Sequence, residues 1–462
     1  MQNLILNADS YKASHFLQYP PGTTFVSSYV EPRGGQFEEI VNLGLQAFVK
    51  EYLLSPITKA DVDEAAEVYG AHGVPFNREG WDYIVNTHGG FLPLRIEGLP
   101  EGMIIEPGTA QVQVVNTDPM VPWLTSYMET ALLRAIWYPS TVASLSRRAK
   151  QFIYTGLQIT ADDPDAEIAF KLHDFGARGA SSSETAALGG MAHLVNFMGS
   201  DTVEGLMAAR RYYGADMAGF SIPAAEHSTM TSWGRDGEAD AYRNMLEKFP
   251  TGLVAVVSDS YDIFNAVSNI WGEKLAPLVE GREGTLVVRP DSGDPTTMAI
   301  EVIERLAVKF GHSVNTKGYK VLPDYVRVIQ GDGMDIDSIP RLLNNMEQSG
   351  WSTSNIAMGM GGGLLQKVDR DTCKYAMKAS AAQVNGEWRD VYKDPITDQG
   401  KTSKKGVLSV VRDGDTGSLR TMRRDDVNKY LDPRCNKLQT VYENGKLVNE
   451  TTFDAVRERA AL

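Results

Sequence analysis

The sequence predicts an α/β fold in which a β/α-barrel-like domain is joined to an α+β domain built from the N-terminal region and the C-terminal segment. Three observations predict it. From about residue 166, seven short apolar runs each end in a polar, charged or Gly-rich turn and lead into helix-compatible sequence, the alternation of parallel β/α folds. Upstream, to about residue 150, β-rich runs alternate with Pro/Gly turns in a mixed α+β pattern. From about residue 383 the alternation stops and the chain turns locally basic, with Lys393, Lys401, Lys404 and Lys405 close together. The expected domains are an α+β region over 1–150, completed by 385–462, and a barrel over 151–384. A chain of 462 residues, 42% hydrophobic and 23% charged, is long enough for domains of this size.

In the first region Thr24–Val30 and Ala110–Val115 read as strands, with turns at Tyr19–Gly22 and Glu106–Gly108. Val121 to about Tyr154 reads as helices broken near Pro139, because proline lacks an N–H and its ring clashes with the preceding turn. The barrel runs are Glu167–Leu172, Leu194–Phe197, Gly219–Ile222, Leu253–Val257, Thr285–Val288, Val326–Ile329 and Asn355–Met358. So many β/α units in succession favour a closed barrel over an open sheet. The turns after the runs would then share one rim at the carboxyl ends of the strands, where barrels place their active sites. They are His173–Arg178, Gly199–Asp201, Ala225–His227, Ser258–Asp259, Arg289–Asp294, Gln330–Gly333 and Gly359–Gly363.

Each turn has a chemical and a plainly structural reading. Gly361, Gly362 and Gly363 before a helix let backbone approach a ligand and offer unpaired N–H groups, which suits a phosphate or a tight turn. Arg289, Asp291 and Asp294 on one turn could hold an anion and ribose hydroxyls, or satisfy one another at the surface. Asp259 and Asp332 leave the same choice, and acids on one rim could also coordinate Mg²⁺ with waters and substrate phosphates. His173 adjoins Asp174 and His227 follows Glu226; a hydrogen-bonded histidine near a core is the default for each. Phe175 fits a core position or a face on which a flat ring stacks.

Other classes are disfavoured. The 45 basic and 59 acidic residues leave a formal charge of −14, which repels nucleic acid and anionic membranes. No run of apolar residues is long enough to span a membrane, and the amino terminus lacks the pattern of a signal peptide. Two cysteines, Cys373 and Cys435, make no disulfide framework, which points to a cytoplasmic protein. The seven histidines show no zinc-binding spacing, and no nucleophile elbow, Walker lysine loop or dinucleotide fingerprint is present. Residues alone therefore reach a β/α-barrel enzyme with an acidic rim, one arginine turn and a phosphate-compatible loop, and a hydrolase using paired carboxylates is the default chemistry.

Nine motifs in order carry a resemblance. They are Asp9-Ser-Tyr-Lys12, Gln18-Tyr-Pro-Pro21, His173-Asp-Phe-Gly176, Ser221-Ile-Pro-Ala-Ala-Glu-His-Ser-Thr229, Val257-Ser-Asp-Ser-Tyr-Asp262, Arg289-Pro-Asp-Ser-Gly293, Arg327-Val-Ile-Gln-Gly-Asp-Gly333, Gly361-Gly-Gly-Leu-Leu-Gln-Lys367 and Lys404-Lys-Gly406. Nearly end to end, the chain resembles the nicotinamide phosphoribosyltransferases, dimeric type II phosphoribosyltransferases. That resemblance implies condensation of nicotinamide with phosphoribosyl pyrophosphate to nicotinamide mononucleotide and pyrophosphate, with Mg²⁺ and with ATP as a coupled co-substrate, in a homodimer with interfacial sites.

By similarity, Phe175 and Tyr11 of the partner subunit would sandwich the pyridine ring, and Asp201 would receive the carboxamide N–H. Arg289 would lie near the same pocket, Asp259 and Asp291 would face the ribose, and Gly331 and Asp332 would line the substrate site. Arg178, Gly361 and Gly362 would hold phosphate, and Arg33, Arg370, Lys378 and Lys393 would add positive charge, with Lys401 in the matching basic loop. His227 matches the histidine that the family phosphorylates from ATP. A carboxylate at Asp201 accepts from an amide and repels the carboxylate of nicotinate, which favours nicotinamide over that alternative base. Intact Arg289, Asp291, His227 and Gly361–Gly363 argue against a non-catalytic nucleotide-binding relative. Ala177 departs from the aromatic residue expected in animal relatives, and the chain is shorter than animal forms around residues 33–45.

Overall fold

The computed structural model describes residues 3–397 and 402–462. The described chain packs as two compact units. The sheet unit takes residues from Met1–Ser144, Arg211–Ala215 and Asp369–Ala461; the barrel unit takes Leu145–Arg210, Asp216–Val368 and Leu462.

In the barrel unit six parallel strands are hydrogen-bonded in the order Gly199–Ser200, Leu172–Asp174, Ile356–Met360, Val326–Gln330, Glu283–Arg289, Thr251–Val257. The seventh run completes the circuit through single parallel bridges, Phe220 to Gly199 at one edge and Ala224 to Ala255 at the other. Ala255, Val287 and Ile329 are buried together, with Phe175, Ile222 and Ala357 packed on them. That layer is the small-residue and branched filling expected inside a parallel barrel.

Three of the expected runs shift, each for a local reason. Glu167–Leu172 yields its strand only from Leu172 to Asp174, because Asp163 caps a helix opened by Pro164 (Pro164–Glu167) and a 3₁₀ turn Ile168–Phe170 follows. Leu194–Phe197 is spent closing helix Ser183–His193, with the Asn196 and Phe197 N–H groups returning to the His193 carbonyl, and the strand begins at Gly199. Gly219–Ile222 forms bridges rather than a ladder: Pro223 has no N–H to donate, although its carbonyl accepts from Ala255 N–H at 2.9 Å.

The sheet unit is built on seven strands in the order Glu387–Asp390, Ala376–Val384, Thr23–Glu31, Val112–Asn116, Leu94–Gly98, Gln439–Glu443, Lys446–Leu447, every neighbouring pair antiparallel. The interior strand Thr23–Glu31 is mostly buried and pairs on one side with a C-terminal strand, Val26 lying opposite Ala382. Chain ends far apart in sequence thus share one sheet. The expected break at Pro139 does not occur: one helix runs Glu129–Thr160. The residue after the proline anchors it, since the Ser140 hydroxyl donates to the Leu43 carbonyl at 2.9 Å and accepts from the Leu43 N–H at 3.1 Å, so tertiary bonds offset the missing helical one. Among the described residues no helix is long and apolar enough to cross a membrane.

Candidate active site

A cavity of ≈ 690 Å³ opens at the carboxyl ends of the barrel strands. Of the residues singled out from the sequence, Phe175, Arg178, Asp201, Arg289, Asp291, Gly331, Asp332, Gly361 and Gly362 all line it. They come from five separate strand ends, which only the parallel circuit brings to one rim.

Phe175 follows strand Leu172–Asp174 and its ring lies flat enough against the strand Ile356–Met360 that Gly359 is required there: a Cβ at that position would stand 2.1 Å from the Phe175 ring. A Cβ on Gly331 would be 3.4 Å from the Phe175 ring and 3.6 Å from Asp291 Oδ1, so ring and carboxylate converge on that glycine. Asp201 extends from strand Gly199–Ser200 and accepts a hydrogen bond from the Ser221 hydroxyl. Below it His173 is held under its ordinary pKa by burial, which outweighs the opposing pull of Asp201.

His227 and Asp259 stand behind this wall, bound to it through Asp291. His227 opens helix His227–Thr231, and its Nε2 is 3.0 Å from Asp259 Oδ1 while Nδ1 is 3.9 Å from Asp291 Oδ2. Asp259 Oδ2 accepts from the Asp291 N–H at 3.1 Å and the Ser292 hydroxyl at 2.5 Å. Burial would raise the Asp259 pKa, but the donors Ser292, His227 and Asp291 N–H together hold it below the usual value. Arg289 ends strand Glu283–Arg289 with Nε 3.6 Å from Asp291 Oδ1; that buried Nε has no hydrogen-bond partner among the described residues. A partly buried guanidinium with an unfilled Nε donor is suited to an incoming anion.

The remaining expected residues belong to the sheet unit. Tyr11 lies on the 3₁₀ turn Ser10–Leu17 and is 56% exposed. Arg33, Arg370 and Lys393 act together on Lys378: burial lowers the Lys378 pKa, Glu129 opposes this, and the three cations lower it further. The buried Arg33 Nε also has no hydrogen-bond partner among the described residues. Lys401 lies outside the described residues.

Sequence reasoning gave no role to several residues of the cavity wall. Lys367 and Asp335 line it and act on each other electrostatically; Lys367 closes the Gly361–Lys367 motif and Asp335 follows Gly333, so adjacency to a motif was the available signal. Ser221 and Ser292, whose hydroxyls hold Asp201 and Asp259, carried no signal of their own, since a serine in a turn is ordinarily a turn residue.

Residues 170–446 match the family model of nicotinate phosphoribosyltransferase (NAPRTase), and residues 3–96 match the N-terminal domain of nicotinamide phosphoribosyltransferase. The chain is 52% identical over 462 residues to a nicotinamide phosphoribosyltransferase of Xanthomonas campestris, covering 100% of this chain and 98% of the relative. It is 32% identical over 495 residues to one from Acinetobacter baylyi, covering 99% and 97%. Among solved structures, nicotinate-nucleotide pyrophosphorylase from Pyrococcus furiosus superimposes with a TM-score of 0.60 at 17% identity, covering 99% of this chain and 95% of that one. Human nicotinic acid phosphoribosyltransferase follows at 0.57 and 18%, covering 98% and 92%; at such identities the likeness is one of fold. With a family match over more than half of its length, and a relative more than half identical from end to end, this chain belongs to the nicotinate phosphoribosyltransferase family and is a phosphoribosyltransferase.

Proposed function

We propose that the protein transfers the 5-phosphoribosyl group of phosphoribosyl pyrophosphate to nicotinamide, giving nicotinamide mononucleotide and pyrophosphate in NAD salvage. The observation that carries this reading is a single cavity wall that holds the Phe175 ring, Asp201 and the Arg289–Asp291 pair. Full-length relatives named for the same reaction support it.

The residue types suit the chemistry. The pyridine nitrogen already has a lone pair, so attack at the anomeric carbon needs no general base; the protein must orient the ring, stabilise positive charge on the ribose and neutralise the departing pyrophosphate. Phe175 offers the flat face, with Tyr11 of the partner subunit on the other side in a homodimer. Asp201 accepts from the carboxamide, its free oxygen set by the Ser221 bond. Asp259 and Asp291 face the ribose, and Arg289, Arg178 and the Gly361–Gly362 backbone receive phosphate, with Arg33, Arg370, Lys378, Lys393 and Lys401 adding positive charge. Among the described residues no three His, Cys, Asp or Glu side chains converge as a metal cage. That fits Mg²⁺, which takes one or two carboxylates and completes its shell with waters and substrate phosphates; of the carboxylates in the cavity wall, Asp291, Asp332 and Asp335 are the ones that would hold it. Bound there, the ion would neutralise charge on the leaving pyrophosphate. In the neutral tautomer whose Nε2–H donates to Asp259, His227 keeps its lone pair on Nδ1, the nitrogen that would accept a phosphoryl group from ATP.

The test is one incubation of purified protein with phosphoribosyl pyrophosphate, Mg²⁺ and either nicotinamide or nicotinate, with and without ATP. Nicotinamide mononucleotide should form, faster with ATP. Preferential use of nicotinate would overturn the base assignment, and release of ribose phosphate with water as acceptor would restore a hydrolase. In His227→Ala the ATP stimulation should disappear; unchanged ATP dependence would remove the phosphohistidine from the scheme.

A further inference from the structure

The Phe175 turn and the Asp201 strand end form the part of the barrel cavity assigned to the base, and one residue that does not line the cavity is bonded to both. Asp174 is the last residue of strand Leu172–Asp174 and is fully buried, at 0% exposure. Its Oδ1 accepts the Gly176 N–H at 2.7 Å, closing a loop of backbone around Phe175. Its own carbonyl accepts the Asp201 N–H at 3.0 Å, and it stands opposite Ser200 in the parallel register. Phe175 N–H donates in turn to the Met360 carbonyl at 3.0 Å. The stacking face and the amide acceptor are therefore both referenced to Asp174.

The second carboxylate oxygen, Oδ2, is buried and has no hydrogen-bond partner among the described residues; the Thr202 hydroxyl stands near it without completing a bond. A carboxylate sealed away with an idle oxygen costs more than an amide or a methyl group in the same place, unless its charge is used.

We propose that Asp174 is a positioning residue of the base pocket, whose carboxylate and carbonyl set the spacing between the Phe175 ring and Asp201 and so determine how tightly the base is held. The proposal rests on the assignment of a pyridine base to this cavity. A charged acceptor binds the Gly176 N–H roughly twice as strongly as a neutral one, so protonation should loosen the turn that carries Phe175. Burial pushes the Asp174 pKa up to about 6; the Gly176 N–H and Thr202 pull it down and Asp201 pushes it further up. Asp174→Asn separates its titration from that of its neighbours. His193, on the packed helix Ser183–His193, is pushed down to about 3 by burial, and His173 on its own strand is lowered by burial. Strand Ile356–Met360 carries no titratable side chain, and Glu204 on helix Val203–Tyr213 accepts from Ser183.

The experiment is steady-state kinetics of the full-length enzyme and Asp174→Asn, with nicotinamide and phosphoribosyl pyrophosphate varied separately between about pH 5.5 and 8. In the parent enzyme the nicotinamide KM should rise several-fold as pH falls through the Asp174 pKa, while the phosphoribosyl pyrophosphate KM changes little. Asp174→Asn should raise the nicotinamide KM about 5-fold to 10-fold at high pH, leave kcat within about 2-fold, and flatten the profile. A variant that keeps the parental KM and profile overturns the proposal. So does one in which kcat and both KM values move together, the mark of a merely structural residue. If Asp174→Asn fails to fold, the parent decides alone: a nicotinamide KM flat with pH overturns the proposal, and a rise confined to nicotinamide supports it. If the parent enzyme uses nicotinate instead, the base assignment is what fails, and the same comparison is read with nicotinate.

Discussion

The two charged regions of this molecule handle charge in opposite ways. On the barrel rim, Asp259 is surrounded by donors from Ser292, His227 and the Asp291 backbone, and Asp291 sits beside Arg289; the carboxylates find local partners, while Arg289 Nε keeps its donor unfilled. In the sheet unit Lys378 is half-buried among Arg33, Arg370 and Lys393, with Glu129 as the opposing charge, and its pKa is lowered by burial and then by these neighbours. A self-satisfied polar network is rigid and suited to orienting reacting atoms. Cations crowded together at a cost in the free protein are relieved when an anion binds, so the cost returns as affinity. On the proposed function, the rim would serve geometry and the lysine cluster charge.

The largest expected effect tests the first half of that contrast. Asp291→Asn keeps the shape of the turn but removes the charge beside Arg289 and His227, and should lower kcat/KM by about 10²-fold to 10³-fold. A loss under tenfold would show that the rim network is structural. Asp201→Asn comes next. It replaces an acceptor that repels a carboxylate with a neutral amide, and should shift the nicotinamide-to-nicotinate ratio of kcat/KM by about 10-fold toward nicotinate. An unchanged ratio would move base selection elsewhere in the cavity. Lys378→Ala probes the other region: the KM for phosphoribosyl pyrophosphate should rise about 5-fold to 10-fold and its salt dependence should weaken, with the nicotinamide KM unchanged. Equal effects on both substrates would break the distinction between the two regions.

How far the sequence could be read follows the same division. The barrel strands Thr251–Val257, Glu283–Arg289 and Val326–Gln330 each contain a short buried apolar run, Val254–Val257, Leu286–Val288 and Val328–Ile329, and the turns after them line the cavity or stand behind it, so the alternation of runs and turns was enough to locate the rim. The short strands failed because Gly199–Ser200 and Phe220–Ala224 depend on neighbours rather than on their own residues. In the sheet unit Thr23–Glu31 pairs with Ala376–Val384, a partner hundreds of residues away that no local pattern specifies. Pro139 misled for a related reason, its tolerance residing in Leu43 and Ser140. At the rim, the residues themselves singled out Arg289 and Asp291 without deciding between a binding and a structural turn, and His227 gained a role only through the resemblance, whereas Ser221, Ser292 and Asp174 gave no sign of the contacts they make in the fold.

Burial deep enough to outweigh its donors would reverse the behaviour of Asp259, and Glu101 in the sheet unit shows the reversal. Glu101 is 5% exposed; its Oε1 accepts from the Gly44 N–H at 2.5 Å and the Tyr213 hydroxyl at 3.1 Å, while Oε2 has no partner among the described residues. Burial pushes its pKa up to about 7, against the weaker pull of Tyr213 and backbone N–H groups. For Asp259 the folded pKa lies below the unfolded one, so its contribution to stability is present near neutral pH and is lost as pH falls through the folded pKa. For Glu101 the folded pKa lies above the unfolded value, so the folded chain binds more protons between them and stability declines as pH rises from about 4.5 to 7. Glu101→Gln removes the charge and keeps the Oε1 acceptor. Above the folded pKa it should therefore stabilise the protein by about 1–3 kcal/mol, and below the unfolded value the two proteins should converge, apart from a constant offset for the amide left without a partner. Thermal melts across this range decide the matter: a Tm difference that does not change with pH would mean that Glu101 is not the titrating group, and a variant less stable than the parent at neutral pH, with a deficit that shrinks toward acid, would mean that its pKa is lowered, making it a second Asp259.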